Sequence, residues 1–182
     1  MEYAEKIARL RMIRTRTIGP VTFSILLNRY GTAENALDAL PDLTKRSGIK
    51  ATLATKDSVE KEIEKTNAIG AEIVVRGEAD YPVPFLAFDD APGCLTMLGH
   101  SYLGHKPSIA MVGSRNASIN ALAFSEDLSS QLGQHEFVVT SGLARGIDAA
   151  CHRGALTTGT IAVTAGGIDQ IYPKENEKLF QR

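Results

Sequence analysis

Two successive units of apolar strand, glycine-rich loop and helix restrict the fold of this chain more than any other feature. Residues 109–112 form a continuous apolar run of the kind found in parallel strands that are buried on both faces. A helix is predicted over 118–132, a second strand over 137–140, a second helix over 146–156, and a third strand over 160–164. Strands joined in this way are parallel, with right-handed crossovers. The pattern predicts an α/β fold with a Rossmann-like sheet.

The predicted sheet is incomplete. Residues 108–182 supply three core strands, whereas a doubly wound sheet usually has about five or six. The sequence also stops at Arg182 inside what should be a new helix. We therefore expect the chain to be a fragment, or its second half to be missing.

Three regions are expected along the chain. Residues 1–66 show helical spacing and predict four or five small helices, one ending before Pro41 and one capped by Asp57 and Ser58. Residues 67–107 predict a connector whose short strands lead into the sheet. Residues 108–182 predict the first part of an extended Rossmann-like domain.

Composition and charge exclude several classes of protein. No apolar run approaches the roughly 20 residues that cross a bilayer, and the charged N-terminus does not resemble a signal peptide. The two cysteines are isolated, so we expect buried thiols in a cytoplasmic protein without a membrane partner. The net charge of −1 excludes a bulk basic face. The local basic excess lies at the start of the chain, in Lys6, Arg9, Arg11, Arg14 and Arg16.

The loops after the three strands carry the candidate chemistry. Carboxyl ends of parallel strands meet at one sheet edge, where glycine admits a ligand and helix N-termini attract anions. Arginine and lysine near these loops suit phosphate. The sequence is not GxGxxG and has no GxxxxGK[ST], so no nucleotide cofactor is expected. The candidate phosphate-binding residues are Gly113, Ser114, Arg115, Asn116, Ser118, Ser141, Gly142, Ala144, Arg145, Gly146, Gly166, Gly167 and Lys174.

No catalytic residue and no metal ligand is predicted. Asp148 lies in the first turn of the second helix, where an aspartate more often caps the helix or holds a loop than performs catalysis. His152 follows one turn later, but no third ligand is in view and the remaining histidines form no cluster.

The motifs resemble the DNA-processing protein A (DprA/Smf) family. The resemblance rests on 109–118, on 139–156, and on Gly166-Gly167-Ile168-Asp169 followed by Tyr172-Pro173-Lys174-Glu175-Asn176. It implies a protein that binds single-stranded DNA without sequence preference, protects incoming DNA in natural transformation and passes it to the RecA recombinase. It further implies a small helical domain similar to a sterile-alpha-motif (SAM-like) fold, and a homodimer whose interface lies in a part absent here.

The resemblance gives the candidate residues a ligand, single-stranded DNA, and implies no enzyme activity. Two other interpretations remain open: a nucleotide-processing enzyme similar to the phosphoribohydrolases, and a sensor of small nucleotides. A third question concerns Arg16-Thr17-Ile18-Gly19-Pro20-Val21, which resembles a helix–hairpin–helix turn but has Thr17 in place of a glycine. We expect this turn to serve packing rather than DNA binding.

Overall fold

The computed structural model describes residues 1–47 and 52–182. These residues form two compact units, Met1–Gly99 and His100–Arg182. None of the helices in the described ranges is long and apolar enough to span a membrane.

Helices dominate the first unit. They are α1 (Tyr3–Ile13), α2 (Pro20–Tyr30), α3 (Ala33–Ser47) and α4 (Lys56–Ala68). Their apolar side chains form one cluster around Met12 and Phe23, while a second cluster joins Leu10 to Val59. The predicted N-terminal helical domain is confirmed.

Two helix ends differ from the prediction. Thr55 caps α4, because its side chain accepts a hydrogen bond of 3.1 Å from the backbone N–H of Ser58. Helix α3 does not end before Pro41 but continues through it. Its buried face, which includes Leu37 and Leu40, offsets the backbone hydrogen bond that proline cannot donate.

The strands between 67 and 107 pair with each other. β1 (Ala71–Val75) and β2 (Cys94–Leu98) are antiparallel, and Ala71 lies opposite Leu98. The expectation that these strands lead into the parallel sheet is therefore wrong: they form their own two-stranded sheet. The reason is apolar packing, since Ile73 and Val75 cluster with Ile7 and Leu10. The division at 66/67 and 107/108 stays a prediction.

The second unit contains the predicted parallel sheet. Its elements are β3 (Ser108–Ala110), α5 (Ile119–Gln134), β4 (Val138–Ser141), α6 (Ile147–Ala155), β5 (Thr160–Ala162) and α7 (Glu177–Phe180). The strand order is β3-β4-β5, and both pairings are parallel. The predicted α/β class, a helical domain followed by a parallel sheet, is confirmed.

Helices α5 and α6 cover one face of this sheet. Two right-handed crossovers that advance in the same direction place both helices on the same side. Val139 of β4 packs there against Cys151 and Ala155 of α6, together with Met111 and Leu132. Burial raises the pKa of the Cys151 thiol, as expected for an unreactive core cysteine.

The opposite sheet face is open near the strand ends. Ala110, Thr140 and Ile161 are neighbours in register and are exposed or half-buried. The chain continues in the same alternation to Val112 and Val163, whose exposed fractions are 81% and 58%. This part of the sheet therefore presents apolar side chains to solvent.

His152 is a core residue. Only 2% of it is exposed, and its Nδ1 lies 2.7 Å from the Thr160 hydroxyl oxygen. That hydroxyl donates to the carbonyl oxygen of Val139 at 2.7 Å, so it accepts a hydrogen bond from Nδ1–H. The Nε2 atom is buried and has no hydrogen-bond partner among the residues that the structure describes. Burial lowers the pKa of His152 below its ordinary value.

The open sheet face should bind a hydrophobic dye. We expect the folded 182-residue chain to increase the fluorescence of such a dye, and the double variant Val112→Thr/Val163→Thr to reduce that increase. Threonine keeps the branched shape while adding a hydroxyl. The control Val83→Thr alters an exposed valine of the first unit. Equal dye binding by all three proteins would contradict the assignment of the open face.

Acid should destabilise the second unit through His152. Because the pKa of His152 is lower in the folded state, the unfolded state binds more protons between that value and about 6.5. The free energy of unfolding should therefore fall as the pH decreases through this window. Denaturant titrations followed by circular dichroism should show a smaller pH slope for His152→Gln than for wild type. The exposed control His135→Gln should keep the wild-type slope, and equal slopes in both variants would refute the assignment.

Candidate nucleic-acid interface

The loops after β3 and β4 are in direct contact. The backbone N–H of Ile147 donates a hydrogen bond of 3.2 Å to the carbonyl oxygen of Ser114. Below them, the Ser141 hydroxyl donates to the carbonyl oxygen of Met111 at 2.6 Å. The structure thus brings the first two predicted loops together at the carboxyl end of the sheet.

Two glycines permit this contact. A Cβ at Gly146 would lie less than 3.0 Å from the backbone of Ser114 and Arg115, and the φ of Gly146 is +78°. A Cβ at Gly113 would lie less than 3.0 Å from the side chain of Ile147. The sequence interpretation assigned such glycines to ligand approach. Here they serve the packing of one loop on the other.

The loop after β4 is fastened on two sides. The Asp148 carboxylate accepts hydrogen bonds from the backbone N–H groups of Gly142, at 3.1 Å, and Ala144, at 3.4 Å. The Asn176 side-chain amide donates to the carbonyl oxygens of Leu143, at 2.9 Å, and Ala144, at 3.1 Å. These bonds flank Leu143, which has the left-handed φ of 57° that is rare outside glycine. Asp148 and Asn176 therefore hold an unusual loop conformation in place.

These internal hydrogen bonds reduce the number of donor groups in the loop after β4 that are free to bind a phosphate. The N–H groups of Gly142 and Ala144 are already bonded to a carboxylate, and Ser141 is buried. A phosphate at these three positions would have to replace an internal bond. Gly146 is half-buried beside them.

The loop after β3 is the more accessible one. Gly113, Ser114, Arg115 and Asn116 are all exposed. The Ser114 hydroxyl accepts a hydrogen bond from the N–H of Asn116 at 3.1 Å, and Ser118 caps α5 by accepting one from Ala121 at 3.2 Å. Among the described residues, Arg115 forms no hydrogen bond or ion pair through its side chain. Its guanidinium group is available to an anion.

The other two predicted cations lie along the same stretch of surface. Arg145 is exposed and forms an ion pair with Glu175, with its Nη2 2.5 Å from the Glu175 Oε1. Lys174 is exposed and adjacent in sequence to Glu175. Because Asn176 is bonded to the loop after β4, the segment from Lys174 to Asn176 lies beside that loop.

The third predicted loop is held by local bonds. Gly166 and Gly167 are exposed, and the N–H of Gln170 donates to the carbonyl oxygen of Gly167 at 2.8 Å. The structure brings the first two loops and the 174–176 segment together. It shows no comparable bond from Gly166 or Gly167 to either of those loops within the ranges described.

Asp148 and His152 have structural partners. Asp148 is buried and holds the loop after β4, while His152 is bonded to Thr160. Within residues 1–47 and 52–182, no group of three or more His, Cys, Asp and Glu side chains is placed to hold a metal ion.

Four basic residues at the start of the chain, Lys6 among them, bond within the first unit, whereas Arg16 is exposed and forms no side-chain hydrogen bond or ion pair with the described residues. Arg9 bonds to Glu5 and to the carbonyl oxygen of Arg76, Arg11 bonds to the carbonyl oxygen of Ala54, and Arg14 bonds to Glu62. In the helix–hairpin–helix-like turn, Ile18 is buried and Gly19 begins α2 as its N-cap. These residues contribute to folding.

Sequence reasoning missed two residues that shape this surface. Asn176 and Glu175 belong to the motif that carried the family resemblance, but neither was given a role. Spacing alone gives no signal for either contact, because each crosses about 30 residues of chain.

Comparison with known proteins matches both parts of the chain. The family model "DNA recombination-mediator protein A" matches residues 72–182, and a model for the DprA-like N-terminal HHH domain matches residues 3–64. The DNA processing protein DprA of Streptococcus pneumoniae is 42% identical over 101 residues, which are 54% of this chain and 36% of that protein. The protein Smf of Synechocystis is 27% identical over 196 residues, covering 100% of this chain and 49% of that protein.

Two solved structures are similar. The X-ray structure of DprA from Streptococcus pneumoniae has a TM-score of 0.61 and 35% identity, covering 70% of this chain and 44% of that one. A DNA processing protein A from Helicobacter pylori, described for its single-stranded DNA binding mode, has a TM-score of 0.55 and 27% identity, with coverage of 61% and 50%. The chain spans about half or less of the length of these relatives. Because the family model covers more than half of the chain, this protein belongs to the DNA recombination-mediator protein A family, which is the DprA/Smf family.

Proposed function

We propose that this protein binds single-stranded DNA without sequence preference, through the carboxyl edge of its parallel sheet. The observation that carries the proposal is the exposed Arg115, whose side chain has no partner among the described residues, on a loop that is hydrogen-bonded to the start of α6. Arg145 and Lys174 extend the basic groups along the same surface. The solved relative from Helicobacter pylori, described as binding single-stranded DNA, supports the same ligand.

The charges favour contact with a phosphodiester backbone. A fixed guanidinium presents planar donors that match phosphate oxygens. With a net charge of −1, the chain has no bulk field to attract nucleic acid, so a few placed cations must supply the attraction. Gly113, Ser114, Asn116 and Ser118 would contact the strand beside Arg115. Gly166 and Gly167 are proposed as its continuation.

Bases would need a second kind of contact. Single-strand binders often stack bases on aromatic rings. Tyr172 is 77% exposed, two residues before Lys174, and is the ring best placed for this role in the 164–182 segment. Phe180 is half-buried and suits packing instead.

Family membership supports the wider role. We propose that the complete protein is cytoplasmic, protects incoming DNA during natural transformation and delivers it to RecA, and acts as a homodimer. These roles rest on the family and not on a feature of the 182 residues. The division into a helical domain over 1–66, a connector over 67–107 and a DNA-binding part over 108–182 is likewise proposed.

An enzyme on nucleotides is the second candidate, and the site favours it less. A hydrolase needs a nucleophile or an activated water, and a base in hydrogen-bond reach. The buried carboxylate nearest the loops, Asp148, is occupied by two backbone N–H groups. We therefore propose a binding protein without catalytic residues.

Arg115→Ala should weaken binding of the complete protein to an oligo(dT) strand by roughly tenfold, because a charged phosphate contact is lost. The slope of log K against log salt should fall by about 0.7, the share of one single-strand phosphate. Fluorescence anisotropy at several salt concentrations measures both values. The control Arg153→Ala removes an exposed arginine of α6 that pairs with Glu126 of α5. It should change neither the affinity nor the salt slope. Unchanged binding by Arg115→Ala, with a normal melting transition, would refute the assignment.

The complete protein should release no free base from nucleoside monophosphates. The reason is that Asp148 is committed to the loop and lacks a partner base in the described part of the site. Chromatography after prolonged incubation measures the released base. Sustained release that Asp148→Asn abolishes would support the enzyme interpretation instead.

A further inference from the structure

We propose that Glu175 is a built-in competitor for the phosphate at Arg145, and so a residue that determines which anions this edge accepts. The inference rests on the proposed function. The Glu175 carboxylate forms an ion pair with the Arg145 guanidinium, with 2.5 Å between the Oε1 and Nη2 atoms. The carboxylate takes the position at Arg145 that a phosphate oxygen would take.

The pair is built into the fold through its neighbours. Asn176, the next residue, is buried and its amide is bonded to the carbonyl oxygens of Leu143 and Ala144. Pro173 is also buried. Arg145 follows Ala144 and Glu175 precedes Asn176, so the two hydrogen bonds from Asn176 hold the backbones of the two partners close together. The carboxylate is thereby kept at a high local concentration beside the guanidinium.

Both side chains remain accessible to a competing ligand. The exposed fractions are 59% for the Arg145 side chain and 61% for that of Glu175. An exposed ion pair between such groups is weak, and salt screens it further. A phosphodiester can therefore displace the carboxylate, but it gains less at Arg145 than at the unpaired Arg115.

The competition favours a strand over a single phosphate. A lone phosphate at Arg145 must displace a tethered carboxylate with one contact. A strand already held at Arg115 presents another of its phosphates as a tethered competitor of its own. Glu175 thus restricts Arg145 to ligands that engage neighbouring groups at the same time. It selects a polyanionic backbone rather than an isolated anion.

A double-mutant cycle on the complete protein tests the competition. Binding of fluorescent oligo(dT) is measured for wild type, Glu175→Gln, Arg145→Ala and the double variant. Glu175→Gln should bind about two- to fivefold more tightly than wild type, the range of one exposed ion pair. In the Arg145→Ala background the same substitution should have little effect, because the competed group is gone.

A matched control separates the pair from bulk charge. Glu177→Gln removes another exposed carboxylate two residues away, and should raise affinity less than Glu175→Gln does. An equal gain in affinity from both variants would refute the proposal that Glu175 competes with phosphate at Arg145. An equal gain from Glu175→Gln with and without Arg145 would refute it as well. Unchanged binding by Glu175→Gln beside a wild type that binds would also overturn it, while leaving the proposed function intact. If neither wild type nor Glu175→Gln binds the strand, both proposals fail.

Discussion

The conformation of the loop after β4 depends on two side chains that grip its backbone. Asp148 accepts the N–H groups of Gly142 and Ala144, and Asn176 donates to the carbonyl oxygens of Leu143 and Ala144. Without these bonds, the left-handed conformation of Leu143 would have little to offset its cost. The loop after β3 is joined to the loop after β4 by the hydrogen bond from the Ile147 N–H to the Ser114 carbonyl oxygen. The conformation of these two loops therefore depends on a carboxylate and an amide that are already engaged in internal hydrogen bonds.

Under the proposed function, this arrangement allows a chain of nearly neutral charge to bind an anionic ligand. A mobile arginine loses conformational freedom when it binds, whereas loops that are already fixed reduce the part of that cost that comes from the backbone. The candidate cations differ: Arg115 has no side-chain partner in the described part of the chain, while Arg145 forms an ion pair with Glu175. Affinity at such a surface depends on individual contacts and on salt, since no general basic field compensates for the loss of one group.

The sequence predicted the elements well where local chemistry decides them. The apolar runs before Gly113 and Ser141 and the helical spacing over 118–132 predicted two strands and a helix close to those observed. Sequence patterns did not predict the contacts between segments that are distant along the chain. β1 and β2 pair with each other because Ile73 and Val75 cover α1, and spacing cannot reveal such a partner. For the same reason, sequence patterns indicated neither the Glu175 partner of Arg145 nor the close packing of one loop on the other at Gly113 and Gly146.

The ends of the parallel strands combine two opposing requirements: their apolar side chains favour burial, whereas the loops of the candidate interface need access to solvent. The ends of β3 and β5 continue into Val112 and Val163, which are exposed on the face that α5 and α6 leave open. A few residues further on, the same strands lead into loops that, under the proposed function, must stay accessible to a charged ligand. An apolar segment packed over Val112 and Val163 would bury these side chains and stabilise the sheet. It must leave Arg115 exposed if the site is to function. The spacing of three residues between Val112 and Arg115 therefore limits how far any such cover can extend toward the carboxyl edge.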